Sequence, residues 1–251
     1  MLRFINSKIR PVWRKFGIDF VRYRAYPLDF SEQNVEICKA VKPYTMTDER
    51  RVNALIEAIR YIVANNIEGA MVECGVWKGG SAMAMALTLR SLGYDDRELF
   101  LYDTYSGMSD PSETDISVFG ENAKTKYSKT ASNRGGSDWC LSPLDEVKEN
   151  LYGTGYNKEK IHFIAGKVEE TIPGHIPEKI ALLRLDTDWY ESTKHELMHL
   201  FPLLQPHGVL IVDDYGHWAG AKKAVDEYFS ENNTRILLNR IDRAGRIGIK
   251  T

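Results

Sequence analysis

Two kinds of hydrophobic pattern alternate along the chain from about residue 47 onward. Short apolar runs, typical of buried parallel strands, are separated by segments whose apolar residues recur at spacings of three and four, typical of amphipathic helices. The predicted helices span 47–66, 81–92, 192–204 and 220–230. The predicted strands span 69–73, 99–102, 161–165, 181–185 and 208–212, with 235–238 and 246–250 as a final pair. This alternation predicts an α/β fold with a mostly parallel sheet flanked by helices.

The first five predicted strands all end in a glycine or a carboxylate. The acids at these ends are Glu73, Asp103, Asp186 and the pair Asp213-Asp214. In an open parallel sheet the carboxyl ends of the strands lie at one edge, where ligands bind. We therefore expect these acids to line a binding site along one rim of the sheet.

Residues 106–151 interrupt the alternation between the second and third strands. This segment is long and rich in Gly, Ser, Asp, Asn and Lys, and loops of such length usually serve as lids or binding loops. We predict a lid inserted over the site and helical around 144–151. The predicted organisation is an N-terminal helical arm over 1–43 and a domain over 44–251 that carries the lid.

The first 27 residues are basic, with Arg3, Lys8, Arg22 and Arg24 among their charges and Asp19 as their lone acid. They lack the uninterrupted apolar core of a signal peptide. We interpret this stretch as an arm that docks on its own domain or on a second copy in a homodimer. Binding to an anionic lipid surface is the alternative.

Composition and charge narrow the choice of partners. The 251-residue chain has a formal charge of −2 at pH 7, which gives no electrostatic reason to expect nucleic-acid binding. No apolar run approaches the ~20 residues that span a bilayer. The cysteines Cys38, Cys74 and Cys140 form neither a CxxC motif nor an even-numbered disulfide set, as suits a reducing compartment. We predict a cytoplasmic protein with a small-molecule ligand and no transmembrane segment.

The segment Glu73-Cys-Gly-Val-Trp-Lys-Gly-Gly-Ser81 joins the first strand to a helix. Its glycines allow a ligand to approach the backbone, and the helix N-terminus offers unpaired N–H groups. The middle glycine of the dinucleotide motif G-x-G-x-x-G is missing. An acid before the turn would repel a pyrophosphate but attract the ammonium group of a methionine moiety. With Asp103 placed for ribose hydroxyls, the turn favours S-adenosylmethionine over NAD; a tight turn without a ligand is the remaining alternative.

Two acidic segments follow the fourth and fifth strands, Asp186-Thr-Asp188 and Asp213-Asp214. Converging carboxylates raise each other's pKa, and a divalent cation relieves the repulsion. All-oxygen ligands favour Mg²⁺, Ca²⁺ or Mn²⁺ over zinc. Such a cation would orient an acceptor hydroxyl and lower its pKa, with Asp186 or Asp188 taking the proton. The alternative is that some of these acids, Asp188 among them, cap helices.

The sequence His195-Glu-Leu-Met-His199 matches the zinc metalloprotease motif H-E-x-x-H. The same helix, however, must cover the sheet with its leucines, and Leu-Phe-Pro202 follows in place of a third-ligand motif. We interpret both histidines as solvent-facing helix residues. A zinc hydrolase and a Rossmann-type NAD-dependent oxidoreductase remain as alternative functions.

Four segments, in order, resemble the macrocin O-methyltransferase (TylF-type) family. They are Val-Glu73-Cys-Gly-Val-Trp-Lys-Gly-Gly-Ser81, Tyr102-Asp103-Thr-Tyr-Ser-Gly-Met, Leu-Asp186-Thr-Asp-Trp-Tyr-Glu-Ser-Thr and Val-Asp213-Asp214-Tyr-Gly. The resemblance implies a class I methyltransferase fold, S-adenosylmethionine, Mg²⁺ or another hard divalent cation, and a lid over a hydroxyl acceptor. Members methylate sugar hydroxyls of macrolide and aminocoumarin antibiotics, so the expected acceptor is a sugar of a glycosylated natural product. The lid itself shows no sugar-specific signature.

The resemblance also implies roles for individual residues. The implied cofactor contacts are Thr45, Met46, Glu73, Gly75, Ser81 and Asp103, with Gly166, Lys167 and Val168 beside the adenine. Trp77 either packs against the cofactor or belongs to the core. The implied metal ligands are Asp186, Asp213 and Asp214. Asp186 is the favoured base and Asp188 the second candidate.

Overall fold

The computed structural model describes residues 10–17, 26–132 and 136–251. The chain forms two compact units, residues 1–31 and 32–251. In the first unit, α1 is a short helix over Arg10–Arg14, and the ring centroids of Tyr26 and Phe30 lie 6.4 Å apart. Arg3, Lys8, Arg22 and Arg24, on which the prediction of a docking arm depends, lie outside the described residues.

The second unit alternates strands and helices. Its helices are α2 (Glu32–Val41), α3 (Glu49–Ala64), α4 (Gly80–Ser91), α5 (Ala123–Lys129), α6 (Leu144–Gly153), α7 (Val168–Thr171), α8 (Tyr190–Leu200) and α9 (Ala219–Glu231). Its strands are β1 (Ala70–Cys74), β2 (Leu99–Asp103), β3 (Ile161–Ala165), β4 (Ile180–Leu185), β5 (Leu204–Val212), β6 (Asn239–Arg240) and β7 (Arg246–Ile249). Short 3₁₀ turns lie at Lys42–Tyr44, Lys158–Lys160 and Phe201–Leu203.

The seven strands form one sheet in the order β3-β2-β1-β4-β5-β7-β6. Strands β1 to β5 are parallel, and β7 runs antiparallel to both β5 and β6. The strand order reverses between β1 and β4, and open α/β sheets bind ligands at the carboxyl edge of such a switch point. The predicted α/β fold with a mostly parallel sheet is confirmed.

The central strands and helices follow from their local sequences. β1 and β4 are buried along their whole length, as expected for apolar strands covered on both faces. α3 begins after Asp48, whose side chain accepts hydrogen bonds from the backbone N–H groups of Arg50 and Arg51. Such an N-cap satisfies donors that have no partner within the helix.

One predicted strand is wrong. Residues 235–238 form no strand, and the short β6 follows them at Asn239–Arg240. The apolar pattern there has a different cause, because Ile236 and Leu238 pack against the hydrophobic core. Burial of alternate side chains does not require the backbone to pair with a neighbouring strand.

The long segment between β2 and β3 is partly helical. It contains α6, predicted around 144–151, and α5, which was not predicted and begins where the Asn122 side chain accepts a hydrogen bond from the Lys124 N–H at 2.8 Å. Trp139 from this segment packs against Trp189 and Trp218, with ring centroids 5.4 and 6.2 Å apart. The segment is thereby attached to the starts of α8 and α9.

The second unit begins at Glu32. Helix α2, which lies in the stretch predicted as the N-terminal arm, packs against α3 and α4 of the second unit. None of the helices in the described ranges is long and apolar enough to cross a membrane.

Candidate active site

The carboxyl ends of β1, β4 and β5 bring the glycine turn and the acidic segments together. The strand register sets Cys74 beside Leu185, and Leu185 beside Val212. A Cβ atom at Gly75 would lie 2.1 Å from the carbonyl oxygen of Asp186, and its φ is +85°. This left-handed conformation favours glycine, so the packing of the two strand ends itself requires Gly75.

Asp103, at the end of β2, organises the glycine turn. Its Oδ2 accepts hydrogen bonds from the N–H groups of Val76 and Trp77 at 2.7 and 2.9 Å, and its Oδ1 accepts one from the Tyr105 N–H at 2.8 Å. A carboxylate can accept about four hydrogen bonds. The fourth is a longer contact of 3.4 Å from the Thr104 hydroxyl, which also donates to the carbonyl oxygen of Gly107 at 2.5 Å. Asp103 therefore shapes the turn, and a ligand hydroxyl could bind its Oδ1 in place of Thr104.

A buried arginine on β4 connects three carboxylates. Arg184 is 3% exposed and donates through Nη1 to Glu73. Its Nη2 donates to both Asp186 and Asp213 at 2.7 Å. The other oxygen of Glu73, Oε2, is buried and has no hydrogen-bond partner among the described residues. Burial raises the pKa of Glu73 to about 7, although Arg184 beside it acts to lower it.

Asp186, Asp188 and Asp214 form an acidic group, with one oxygen from each lying within 4.8 Å of the others. Asp214 is 9% exposed, and its Oδ2 is buried without a partner in the described part of the chain. Burial raises the pKa of Asp186 and Asp214 well above the usual range, and that of Asp188 to about 7. The neighbouring carboxylates add to these shifts, as expected when acids share a buried site.

The structure differs from the expected set of metal ligands at Asp213. This residue is fully buried, and its Oδ2 accepts hydrogen bonds from Arg184 at 2.7 Å and from Arg51 at 3.2 Å. Asp213 and Asp214 lie in a bend directly after the end of β5, and the two neighbouring side chains have different partners. Asp188 occupies the third position of the acidic group instead.

Asp188 does not cap a helix. The N-cap of α8 is Trp189, and the N–H of Tyr190 at the start of the helix donates to Oδ1 of Asp115 at 2.9 Å. Asp188 instead adopts a φ of +71°, which is uncommon for a residue with a Cβ atom. The loop between β4 and α8 therefore holds the Asp188 carboxylate beside those of Asp186 and Asp214.

Two cavities open at this rim. The turn cavity, of about 700 Å³, is lined by Gly75, Asp103 and Gly166. The acid cavity, of about 940 Å³, is lined by Glu73, Ser81 and Asp214. The two adjoin, because Met46, Trp77, Cys140, Asp186 and Asp188 line both.

Every residue predicted to contact the cofactor lines one of these cavities. Gly75, Asp103, Gly166, Lys167 and Val168 line the turn cavity, Thr45, Glu73 and Ser81 line the acid cavity, and Met46 and Trp77 line both. The structure thus brings the ten together, although they come from widely separated parts of the sequence.

Side chains of the segment 106–151 complete both cavities. Met108 and Ser109 line the turn cavity, while Lys126 and Trp139 line the acid cavity. The Nζ atom of Lys126 lies 4.0 Å from the centroid of the Trp139 ring. This segment therefore forms part of the site wall.

The H-E-x-x-H sequence does not form a metal site in the described part of the structure. Glu196 is fully buried, while His195 Nε2 lies 2.9 Å from the carbonyl oxygen of Ile172. The ring centroids of His195 and His199 lie 4.5 Å apart. Both side chains are half-buried, whereas the sequence predicts that they face solvent. The potential metal ligands that converge among the described residues are all aspartates.

The sequence patterns do not predict the roles of two arginines of the site. Arg184 had a local signal, since it is the one charge in the apolar strand Ile-Ala-Leu-Leu-Arg-Leu, and buried charges require partners. Arg51 had none, because its partners Asp213 and Asp242 lie 162 and 191 residues further along the chain.

Comparison with solved structures defines the class of protein. The structure of the O-methyltransferase NovP matches with a TM-score of 0.72 and 28% sequence identity, covering 83% of this chain and 82% of that one. The fold is therefore the Rossmann-like methyltransferase fold, in which β7 runs antiparallel to the other central strands.

The chain belongs to the macrocin O-methyltransferase (TylF) family, whose profile matches residues 22–247. It is 32% identical over 202 residues to demethyldecarbamoylnovobiocin O-methyltransferase from Streptomyces niveus, covering 80% of this chain and 74% of the relative. It is 30% identical, with the same coverage, to 8-demethyl-8-(2,3-dimethoxy-α-L-rhamnosyl)-tetracenomycin-C 4'-O-methyltransferase from Streptomyces olivaceus. The protein is an S-adenosylmethionine-dependent O-methyltransferase, and the oxidoreductase and zinc hydrolase alternatives are wrong.

Proposed function

We propose that this protein methylates a sugar hydroxyl of a glycosylated natural product, assisted by a divalent cation at Asp186, Asp188 and Asp214. The observation that carries the proposal is the junction of the two cavities at Asp186 and Asp188. A methyl donor with its nucleoside in the turn cavity and an acceptor in the acid cavity would meet at these carboxylates. The relative from Streptomyces olivaceus, named for 4'-O-methylation of a rhamnosyl compound, supports a sugar acceptor.

The turn cavity suits the nucleoside part of S-adenosylmethionine. A ribose hydroxyl could take the place of the long Thr104 contact to Asp103, and the turn at Gly166-Lys167-Val168 lies on the same cavity for the adenine. Glu73 offers a buried oxygen without a partner among the described residues. Such an oxygen fits the ammonium group of the methionine end, because a buried carboxylate is stabilised by an opposite charge.

The acidic group fits a hard divalent cation. Its three aspartates supply only oxygen donors, the type that Mg²⁺ and Mn²⁺ prefer. The buried and unpartnered Oδ2 of Asp214 is an independent sign that a positive ligand belongs there. When bound, S-adenosylmethionine supplies the methyl group, and the cation supplies the positive charge that lowers the pKa of an acceptor hydroxyl.

We assign to Asp188 the removal of the acceptor's proton. Asp186 is the base favoured by the sequence, but its Oδ2 accepts a hydrogen bond from Arg184 at 2.7 Å, so that oxygen is not free to take a proton. Asp188 has no such ion pair among the described residues and lines both cavities. A carboxylate at the junction of the two cavities is placed to accept the proton of an acceptor hydroxyl.

The acid cavity has the mixed character that a sugar requires. Trp139 and Trp218 offer apolar faces to the ring, while Lys126 and His217 offer hydrogen-bonding groups to its hydroxyls. Binding sites of this kind combine aromatic walls with a few placed polar groups. These residues are therefore the candidates for choosing the acceptor.

Two measurements test the proposal. Calorimetric titration of the metal-stripped protein with S-adenosylhomocysteine, with NAD as the control, tests the cofactor site, and the product should bind while NAD does not. Methyl transfer from labelled S-adenosylmethionine is then compared between glycosylated natural products and their aglycones, with EDTA and with added Mg²⁺. Equal transfer to the aglycones would contradict a sugar acceptor, and full activity in EDTA would contradict the cation.

A further inference from the structure

Arg184 is the side chain shared by the two halves of the proposed site. One end of its guanidinium, Nη1, donates to Glu73, the acid assigned to the cofactor. The other end, Nη2, donates to Asp186, a member of the acidic group, and to Asp213. A single planar group thus touches both a cofactor residue and a proposed cation ligand.

The sheet holds this arrangement in place. Arg184 lies in β4 directly beside Glu73 of β1 and beside Ile211 of β5. The side chain is 4% exposed, and that of Glu73 is 1% exposed. A guanidinium presents donors in several fixed directions, whereas a lysine ammonium is a point charge. Only an arginine at this position can therefore bond to both acids in the geometry observed.

No second cation substitutes for Arg184 among the described residues. Arg51 also binds Asp213, but its other partner is Asp242, at 2.7 Å. Glu73 and Asp186 have Arg184 as their only ion-pair partner in the described part of the chain. Without it, both carboxylates would be left without a countercharge and without a fixed orientation.

We infer that Arg184 is a positioning residue that couples the two binding events, orienting Glu73 for the cofactor and Asp186 for the cation. Its replacement weakens both affinities together. This inference rests on the proposed function, because it assumes that the acidic group binds a cation. It goes further in assigning one buried residue to both sites.

The test measures the affinity for S-adenosylhomocysteine and for Mn²⁺ separately, by calorimetry on folded protein below its melting temperature. Arg184→Met and Arg184→Lys are each expected to weaken both ligands by about tenfold or more, the usual effect of losing a residue that orients a ligand-binding carboxylate. Arg184→Lys retains the positive charge. If Arg184→Met does not fold, the affinities of Arg184→Lys alone test whether Arg184 couples the two sites.

Three control variants separate this role from a structural one. Glu73→Gln should weaken S-adenosylhomocysteine alone, and Asp214→Asn should weaken Mn²⁺ alone. Arg97→Met removes a half-buried arginine that binds the carbonyl oxygens of Ile67 and Gly69 at 2.8 and 2.9 Å. It should lower the melting temperature and leave both affinities unchanged.

The outcomes distinguish this inference from the proposed function. Wild-type affinity for both ligands in Arg184→Lys, or loss of only one, would overturn the coupling and leave the cation site intact. Failure of the wild-type protein to bind Mn²⁺ would contradict the cation site, and the coupling would fall with it. Joint weakening in Arg184→Lys, with Arg97→Met unaffected, supports the inference.

Discussion

The hydroxyl group of Thr187 donates a hydrogen bond of 2.9 Å to Oε1 of Glu196. Thr187 lies between Asp186 and Asp188, and Glu196 is the fully buried acid of the H-E-x-x-H sequence. Burial raises the pKa of Glu196 well above its usual range, so we expect a protonated carboxyl group in the folded protein. The glutamate that resembles a zinc-protease base thus supports the loop that carries two aspartates of the site.

Near pH 4.5, Glu196→Gln should leave stability nearly unchanged, because the protonated carboxyl group and the amide are both neutral and both accept the Thr187 hydrogen bond. Glu196→Ala should lower the free energy of unfolding by about 2 kcal/mol, since it leaves a buried hydroxyl without its acceptor. Urea denaturation of both variants measures the difference. Equal destabilisation by the two would show that the charge of Glu196, rather than its hydrogen bond, holds the loop.

The raised pKa of Glu196 predicts that the stability of the protein depends on pH. An acid whose pKa is raised in the folded state binds more protons there than in the unfolded chain, so stability falls as the pH rises above the unfolded pKa. The wild-type protein should therefore lose stability relative to Glu196→Gln as the pH rises above the ordinary glutamate pKa of 4.5. Thermal denaturation at pH 5 to 8 checks this. Parallel curves for the two proteins would rule it out.

Asp213 and Asp214 should respond differently to the same substitution. Asp213→Asn removes the buried charge that two arginines share, and breaking a buried ion pair costs about 3–5 kcal/mol. Asp214→Asn should instead abolish Mn²⁺ binding with a smaller loss of stability, because Asp214 has no arginine partner in the described structure. Chemical denaturation and calorimetry, applied to both variants, separate the two roles. A more stable Asp214→Asn protein that binds Mn²⁺ normally would contradict the assignment of Asp214.

Gly75→Ala should disrupt the site. The new Cβ atom would lie 2.1 Å from the Asp186 carbonyl oxygen at a φ of +85°, and the strain is worth roughly 3 kcal/mol or more. Gly93→Ala is the matched control, since Gly93 has a φ of +78° but nothing within 4 Å of its Cβ position. It should cost only about 1 kcal/mol. Denaturation and titration with S-adenosylhomocysteine test both, and equal effects would mean that backbone conformation alone matters at Gly75.

His199→Ala should retain methyl transfer, because His199 packs against His195 and lies on neither cavity. Asp188→Asn should lower turnover by about 10²-fold or more, the usual contribution of a general base, while S-adenosylhomocysteine still binds. Initial rates with a glycosylated acceptor measure both. Loss of activity in His199→Ala at unchanged stability would reopen a role for the histidine pair.

Several features of the site can be predicted from short segments of the sequence. The apolar runs before Glu73, Asp103 and Asp186 identify strands, and a parallel sheet must place their carboxyl ends on one edge. The missing middle glycine and the acid before the turn favoured S-adenosylmethionine, and the family comparison confirms that class of enzyme. These conclusions depend on local periodicity and on chemistry that adjacent residues share.

The choice between neighbouring acids did not follow from the sequence. Asp213 and Asp214 are adjacent, yet one binds Arg51 and Arg184 and the other joins Asp186 and Asp188. The partners of Asp213 come from a helix and a strand far apart in sequence, and no local pattern records such a contact. Helix α5 was likewise missed, because its short polar sequence has no apolar stripe to reveal it.

The α/β architecture, the rim on which the site lies and the class of reaction follow from the amino-acid sequence, because strand periodicity and strand-end chemistry are local properties. Which carboxylates converge, which are paired with arginines, and which glutamate is buried beside Thr187 become apparent in the folded molecule alone. Those outcomes depend on strand register and on contacts across more than one layer, where the free energy of burying a charge selects its partner. The role of Arg184 likewise follows from the folded structure and not from the sequence.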